Sequence, residues 1–121
     1  MAKSTSSLVF LFIFLLFLYF CFNLGNEIQE LDQINSWCIA KPSASDVALI
    51  NNIEYACNAL GDCSIIQPGG PCFNPNNLLN HASVVMNQYY AANGRNTWNC
   101  YFSWSGIIVF SDPSFGSCTY A

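Results

Sequence analysis

The stretch Trp37–Cys72, WCIAKPSASDVALINNIEYACNALGDCSIIQPGGPC, holds Cys38, Cys57, Cys63 and Cys72, and Cys100 and Cys118 follow it. An apolar helical pattern lies between the first two of these cysteines, and a Gly/Pro loop leads to the fourth. The pattern reads as a small domain braced by covalent cross-links. Ahead of Trp37, Leu8–Phe22 is an almost purely Leu, Phe, Ile, Val and Tyr run of 15 residues. It follows Lys3 and the Ser4–Ser7 cluster, the order expected of a secretory signal peptide. As a helix it spans only about 22 Å, against a hydrocarbon core of about 30 Å. Residues 1–25 are therefore read as a leader, cut between 22 and 30, and 26–36 as a loosely ordered spacer before a domain at 37–120. An uncleaved signal anchor is the rival reading.

Removing the leader takes away Lys3 and Cys21, so seven cysteines become six. What remains sets Lys41 and Arg95 against Glu27, Glu30, Asp32, Asp46, Glu54, Asp62 and Asp112, two cations against seven carboxylates, formally −5. An acidic surface repels phosphate backbones and lacks the basic patch that anionic lipid attracts, which argues against nucleic acid and stable membrane insertion. Export and an even cysteine count predict three disulfides, since small secreted domains substitute cross-links for core. Each contributes about 2–4 kcal/mol. A zinc site, the competing use of cysteine, lacks a Cys-x-x-Cys pair and a histidine near any cysteine, so no metal or other cofactor is expected. Spacing alone suggests one pair, Cys57 with Cys63 across the Gly61-Asp62 turn, and leaves the other two open.

Along the domain, Ser43-Ala44-Ser45-Asp46 offers a helix start, and Leu49, Ile50, Ile53, Ala56, Cys57 and Leu60 recur at helical spacing up to Gly61. This predicts a first helix over 44–59. After the turn-rich loop 67–75, Asn76 or Asn77 caps a second helix with Leu78, Leu79, Ala82, Val85, Met86 and Tyr89 as its apolar face, ended by Asn93-Gly94. Trp98, Cys100, Phe102 and Trp104 then alternate with more polar residues, and Ile107–Phe110 is apolar, so a hairpin turning at Ser105-Gly106 is expected. The fold class is a small disulfide-rich α+β domain: two main helices with a short antiparallel hairpin or sheet.

Trp37-Cys38-Ile39-Ala40-Lys41-Pro42, Tyr55-Ala56-Cys57, Asp62-Cys63-Ser64-Ile65-Ile66, Gly69-Gly70-Pro71-Cys72-Phe73-Asn74-Pro75, Ala82-Ser83 with Asn87-Gln88-Tyr89-Tyr90, and Asp112-Pro113-Ser114-Phe115-Gly116-Ser117-Cys118 resemble the plant X-eight domain, also called the family-43 carbohydrate-binding module. The likeness covers Trp37 to Tyr120. It implies the bridges Cys38–Cys100, Cys57–Cys63 and Cys72–Cys118, and a free-standing, non-catalytic binder of β-1,3-glucan of the callose or laminarin type, without a glucanase domain. Two departures stand out. Val84, Val85 and Met86 occupy a segment where many members carry Tyr and Phe, and Tyr101–Gly106 replaces a glycine-rich stretch.

Sugar binding needs aromatic faces for pyranose C–H surfaces, with amides and hydroxyls around them. The chain offers Tyr55, Tyr89, Tyr90, Trp98, Tyr101, Phe102 and Trp104, of which Tyr90, Tyr101 and Trp104 are the candidate exposed rings, with Asn87, Arg95 and Asn96 as polar partners. Trp37, Tyr89 and Phe102 are assigned to the core. Hydrolysis would need two carboxyls about 5–9.5 Å apart. Asp46, Asp62 and Asp112 read instead as helix-start and turn residues, Glu54 has no evident partner, and His81 lacks one for nucleophilic catalysis, so no catalytic residue is assigned. The alternative to a glucan binder is a cysteine-rich structural or signalling protein whose sugar site has drifted. No Asn-x-Ser/Thr acceptor occurs, and with three residues after Cys118 no glycolipid anchor is expected. The expected product is a monomeric, secreted protein of the plant cell wall.

Overall fold

The computed structural model describes residues 2–31 and 35–121, with side chains described for 7–22 and 35–121. It divides into two compact units, 1–34 and 35–121. The first contains one helix, α1 (Ala2–Leu31), whose apolar residues Leu8–Phe22 are exposed. α1 continues past Gly25 into the segment expected to be a loose spacer. A single glycine costs a helix only about 1 kcal/mol, which the good formers Glu27, Gln29, Glu30 and Leu31 can offset. Among the described residues, no helix is long and apolar enough to cross a membrane.

The second unit is built from β1 (Trp37–Ala40), α2 (Asp46–Leu60), α3 (Leu78–Ala92) and β2 (Gly106–Val109), with short 3₁₀ turns at Ser64–Ile66, Thr97–Cys100 and Phe102–Trp104. Local chemistry sets the helix ends. Ser45 caps α2 by accepting from the Ala48 N–H, and Gly61 ends it at φ 79°, a left-handed position that glycine adopts at least cost. Asn77 caps α3 by accepting from the Asn80 N–H at 2.8 Å. The first helix therefore lies two residues later at its start than its spacing predicts, and one later at its end.

α3 is the central element, packed against α2 on one side and β1 on another. Every residue from Ala82 to Asn87 is buried, as expected of a helix covered on more than one face. Two polar residues of that run have structural partners. Ser83 Oγ accepts from the Ala40 N–H and Asn87 Oδ1 from the Cys38 N–H, both at 3.0 Å. Four helix residues rise about 6 Å and two strand residues about 6.6 Å, so one helix stripe satisfies alternate N–H groups of the strand. β1 is thus covered on the edge that β2 leaves free.

The sheet pairs β1 with β2 antiparallel, Trp37 opposite Val109 and Ala40 opposite Gly106. It is not the expected local hairpin. Trp98–Trp104 forms 3₁₀ turns instead of a strand, with Phe102, Ser103 and Trp104 at φ 42°, 51° and 69°. No strand passes through three successive residues of that hand. Gly106 begins β2 immediately afterwards, where a Cβ would sit 2.0 Å from the Cys100 carbonyl oxygen. Only glycine permits that approach.

The disulfides are Cys38–Cys100, Cys57–Cys63 and Cys72–Cys118, the three pairs that the resemblance implies. The first joins the cluster of Ala40, Leu49, Ala82, Met86 and Tyr90, and the third joins that of Ala56, Ile66, Val84, Val85 and Tyr120. His81, half-buried, places Nε2 2.7 Å from the Phe73 carbonyl oxygen and stacks on the Phe73 ring, holding the Gly/Pro loop to α3.

Burial pushes the Tyr120 phenol up to about 12 from 10.0. The unfolded chain releases this proton first, so the stabilisation is complete below about pH 10 and declines as pH rises toward about 12. Urea unfolding at pH 8 and pH 11 should show a smaller alkaline loss of stability for Tyr120→Phe than for the wild type. Equal losses would assign the loss to other groups.

Candidate functional site

A groove of about 350 Å³ opens where α2, α3 and the Trp98–Ser103 turn meet. Helical spacing puts Asn51 and Tyr55 of α2 one turn apart on its wall, with Asn52 beside them. α3 contributes Tyr89, and the turn contributes Trp98, Asn99, Phe102 and Ser103. Tyr55, Tyr89 and Phe102 meet edge to face, with centroids 5.4, 6.3 and 5.6 Å apart. This geometry is favourable for ring quadrupoles and leaves ring surface toward the opening. The Tyr55 and Tyr89 hydroxyl oxygens lie 3.3 Å apart, one donating to the other.

That hydrogen bond is the largest reason the Tyr89 phenol titrates above its ordinary value, followed by burial and by repulsion from Tyr55, with Asn99 pulling the other way. Tyr89 is therefore a neutral donor and acceptor at physiological pH. None of the eight lining residues carries a charge. The groove consists of four aromatic rings, three amides and a hydroxyl, which suits a neutral, hydroxyl-rich ligand.

The floor is held from behind. Asn52 Nδ2 donates to Ser105 Oγ at 2.7 Å, and Ser105 Oγ donates to the Phe102 carbonyl. The Lys41 N–H donates to the Ser105 carbonyl at 2.8 Å. These contacts support three left-handed residues that together cost several kcal/mol, at about 1–2 each.

The candidate residues read from the sequence fall into three groups. Tyr90 and Asn87 are corrected. Tyr90 is 1% exposed, with its hydroxyl 2.7 Å from Ser36 Oγ, and Asn87 is 0% exposed, bonded to the Cys38 N–H and the Ala121 backbone oxygen. Neither reaches a ligand. Arg95 and Asn96 shape the exit of α3. Arg95 Nη1 donates to the Ser36 carbonyl at 2.7 Å with its guanidinium over the Tyr90 ring, and Asn96 Nδ2 donates to the Asn93 carbonyl. Tyr101 and Trp104 are exposed and stack on each other beside the groove, outside its lining.

Sequence reasoning named Tyr55, Tyr89, Trp98 and Phe102 among the available rings but did not bring them together, and it assigned Tyr89 and Phe102 to the core, against which both do pack. Both are half-buried and face the groove. Val84, Val85 and Met86 are buried in the core and do not line the groove, and Met86 Sδ accepts from Nδ2 of the groove residue Asn52 at 3.6 Å, so the helix-two departure reaches this site only from behind.

Of the carboxylates, Asp62 is held below the usual carboxylate range by the Ser64 backbone N–H and then its side chain, and Asp112 by the Ser114 side chain and then its backbone N–H. Asp46 lies in the first turn of α2 and Glu54 is exposed. None lines the groove. Among the described residues no cluster of His, Cys, Asp or Glu could hold a metal ion.

Residues 36–107 match the X8 domain. A glucan endo-1,3-beta-D-glucosidase of Olea europaea is 51% identical over 85 residues, 70% of this chain and 18% of the relative. The major pollen allergen Ole e 10 of the same species is 49% identical over 85 residues, 69% of each. Plasmodesmata callose-binding protein 5 of Arabidopsis thaliana is 42% identical over 89 residues, 73% of this chain and 49% of the relative. The chain thus spans under a fifth of the length of the glucosidase it matches and half that of the callose-binding protein. A match across most of the second unit, six bridged cysteines and the two-helix, two-strand architecture agree: the chain belongs to the X8 domain family.

Proposed function

We propose that this protein binds β-1,3-glucan without cleaving it, holding the chain in the groove between α2, α3 and the Trp98–Ser103 turn. The observation that carries the reading is the groove's composition: Tyr55, Tyr89, Trp98 and Phe102 supply ring surface, Asn51, Asn52, Asn99 and Ser103 supply hydrogen-bonding groups, and no carboxylate is present. The names of the callose-binding and glucosidase relatives support β-1,3-glucan as the polysaccharide. The proposal includes export of a monomer to the plant cell wall, residues 1–25 acting as leader and 37–120 as the binding domain.

Retention on an insoluble β-1,3-glucan column with displacement by soluble laminarin tests this directly. Tyr55→Ala should weaken binding about tenfold, since an aromatic face contributes on the order of 1 kcal/mol beyond its buried area. Passage of the oxidised wild type through the column would exclude the reading. Release of reducing sugar from laminarin would exclude its non-catalytic part.

A further inference from the structure

We infer that Tyr101 and Trp104 form a second stacking subsite, which receives a further glucose unit of the same chain that fills the groove. This rests on the glucan-binding reading and specifies how many sugar rings the surface engages. Trp104 is 78% exposed and Tyr101 55%, and their rings lie 5.7 Å apart at an interplanar angle of 22°. Tyr101 therefore backs Trp104 and sets its orientation, leaving the outer indole face open.

This display works against stability twice. Two large apolar rings are left in water, and Phe102, Ser103 and Trp104 carry the backbone through left-handed conformations that side chains disfavour. Strain of this kind persists where surrounding structure enforces it, and it clusters at binding sites. Here the enforcement comes from Asn52 through Ser105 to the Phe102 carbonyl, and from the Cys38–Cys100 bridge one residue before Tyr101. The platform is accordingly rigid, so little side-chain freedom is lost when a ligand lands on it.

Its position names the occupant. Ser103 lies between Phe102 and Trp104 in sequence and is itself part of the groove wall, so the platform continues the groove. From Asn96 to Ser111 the chain carries no charged residue, which disfavours an acidic or basic partner and suits a neutral sugar.

Calorimetric titration of the oxidised full chain with linear β-1,3-linked glucose oligomers of increasing length separates this inference from the reading beneath it. Affinity of the wild type should climb with length. Trp104→Ala should match the wild type on the shortest binding oligomers, then reach its plateau sooner, ending about tenfold weaker on the longest. Trp104→Phe should recover most of the difference, and Tyr55→Ala should weaken every length. A Trp104→Ala profile indistinguishable from wild type, or weakened equally at all lengths, would overturn the second subsite while leaving the groove in place. Conversion of a wild-type dimer to a monomer by Trp104→Ala, with the length profile unchanged, would overturn it in favour of self-association. Failure of the wild type to bind any oligomer would overturn both.

Discussion

The double variant Cys38→Ala/Cys100→Ala is expected to lose roughly 4 kcal/mol of stability, the loop-closure value for a bridge whose cysteines are 62 positions apart. For a domain of this size the melting temperature should fall by about 15–30 °C. The same relation assigns only about 2 kcal/mol to Cys57–Cys63, which spans six positions. The long bridge also ties β1 to the start of the aromatic turn, with both sulfurs buried among Ala40, Leu49, Met86 and Tyr90. Its loss should therefore lower laminarin affinity as well as stability, whereas removal of Cys57–Cys63 should leave affinity near wild type. Thermal unfolding and titration of both double variants test this. Equal destabilisation by the two would show that loop length is not what the bridges contribute.

Asn87→Ala is expected to destabilise the domain by about 3 kcal/mol without changing the affinity of the molecules that remain folded. Asn87 has no exposed surface and makes two long-range hydrogen bonds, accepting from the Cys38 N–H and donating to the Ala121 backbone oxygen, each at 3.0 Å. Truncation leaves both partners to be satisfied elsewhere, and an orphaned buried group costs about 1–3 kcal/mol. Urea unfolding would register the loss, and laminarin titration under native conditions would register no change. The reverse pattern, intact stability with lost affinity, would return Asn87 to the ligand site. Tyr55→Ala should behave oppositely: an exposed ring on the groove wall, it should change affinity more than stability.

These opposed expectations for two residues, both polar or aromatic and both on helices, mark how far the chain could be read in advance. Helix ends were legible because capping is local. Ser45, Gly61 and Asn77 each act within a few residues of themselves. The Cys57–Cys63 pair was legible for the same reason, being closed by one turn. The other two pairings came from family likeness, because chain spacing does not constrain loops of that length. On α3, Ala82, Val85 and Met86 are buried as expected, but a helix covered by both α2 and β1 has no single apolar face, so Ser83, Asn87 and Tyr90 are buried as well. Tyr90, expected at the surface, fills the core, while Tyr89 packs against the core as expected and also lines the groove. The alternation through Trp98, Cys100, Phe102 and Trp104 imitated a strand, and nothing in its spacing announces the left-handed backbone at Phe102–Trp104.

Composition and order along the chain were enough to establish an acidic, cysteine-braced α+β domain behind an apolar leader-like run, since charge, cysteine count and helix caps are properties of short segments. The groove belongs to another level. Its residues come from positions 51–55, 89 and 98–103, and they converge only because α3 lies against α2 while the Cys38–Cys100 bridge and the Gly106 contact fold the turn back over both. Which rings face solvent is decided by that packing, because exposure depends on neighbours distant in sequence.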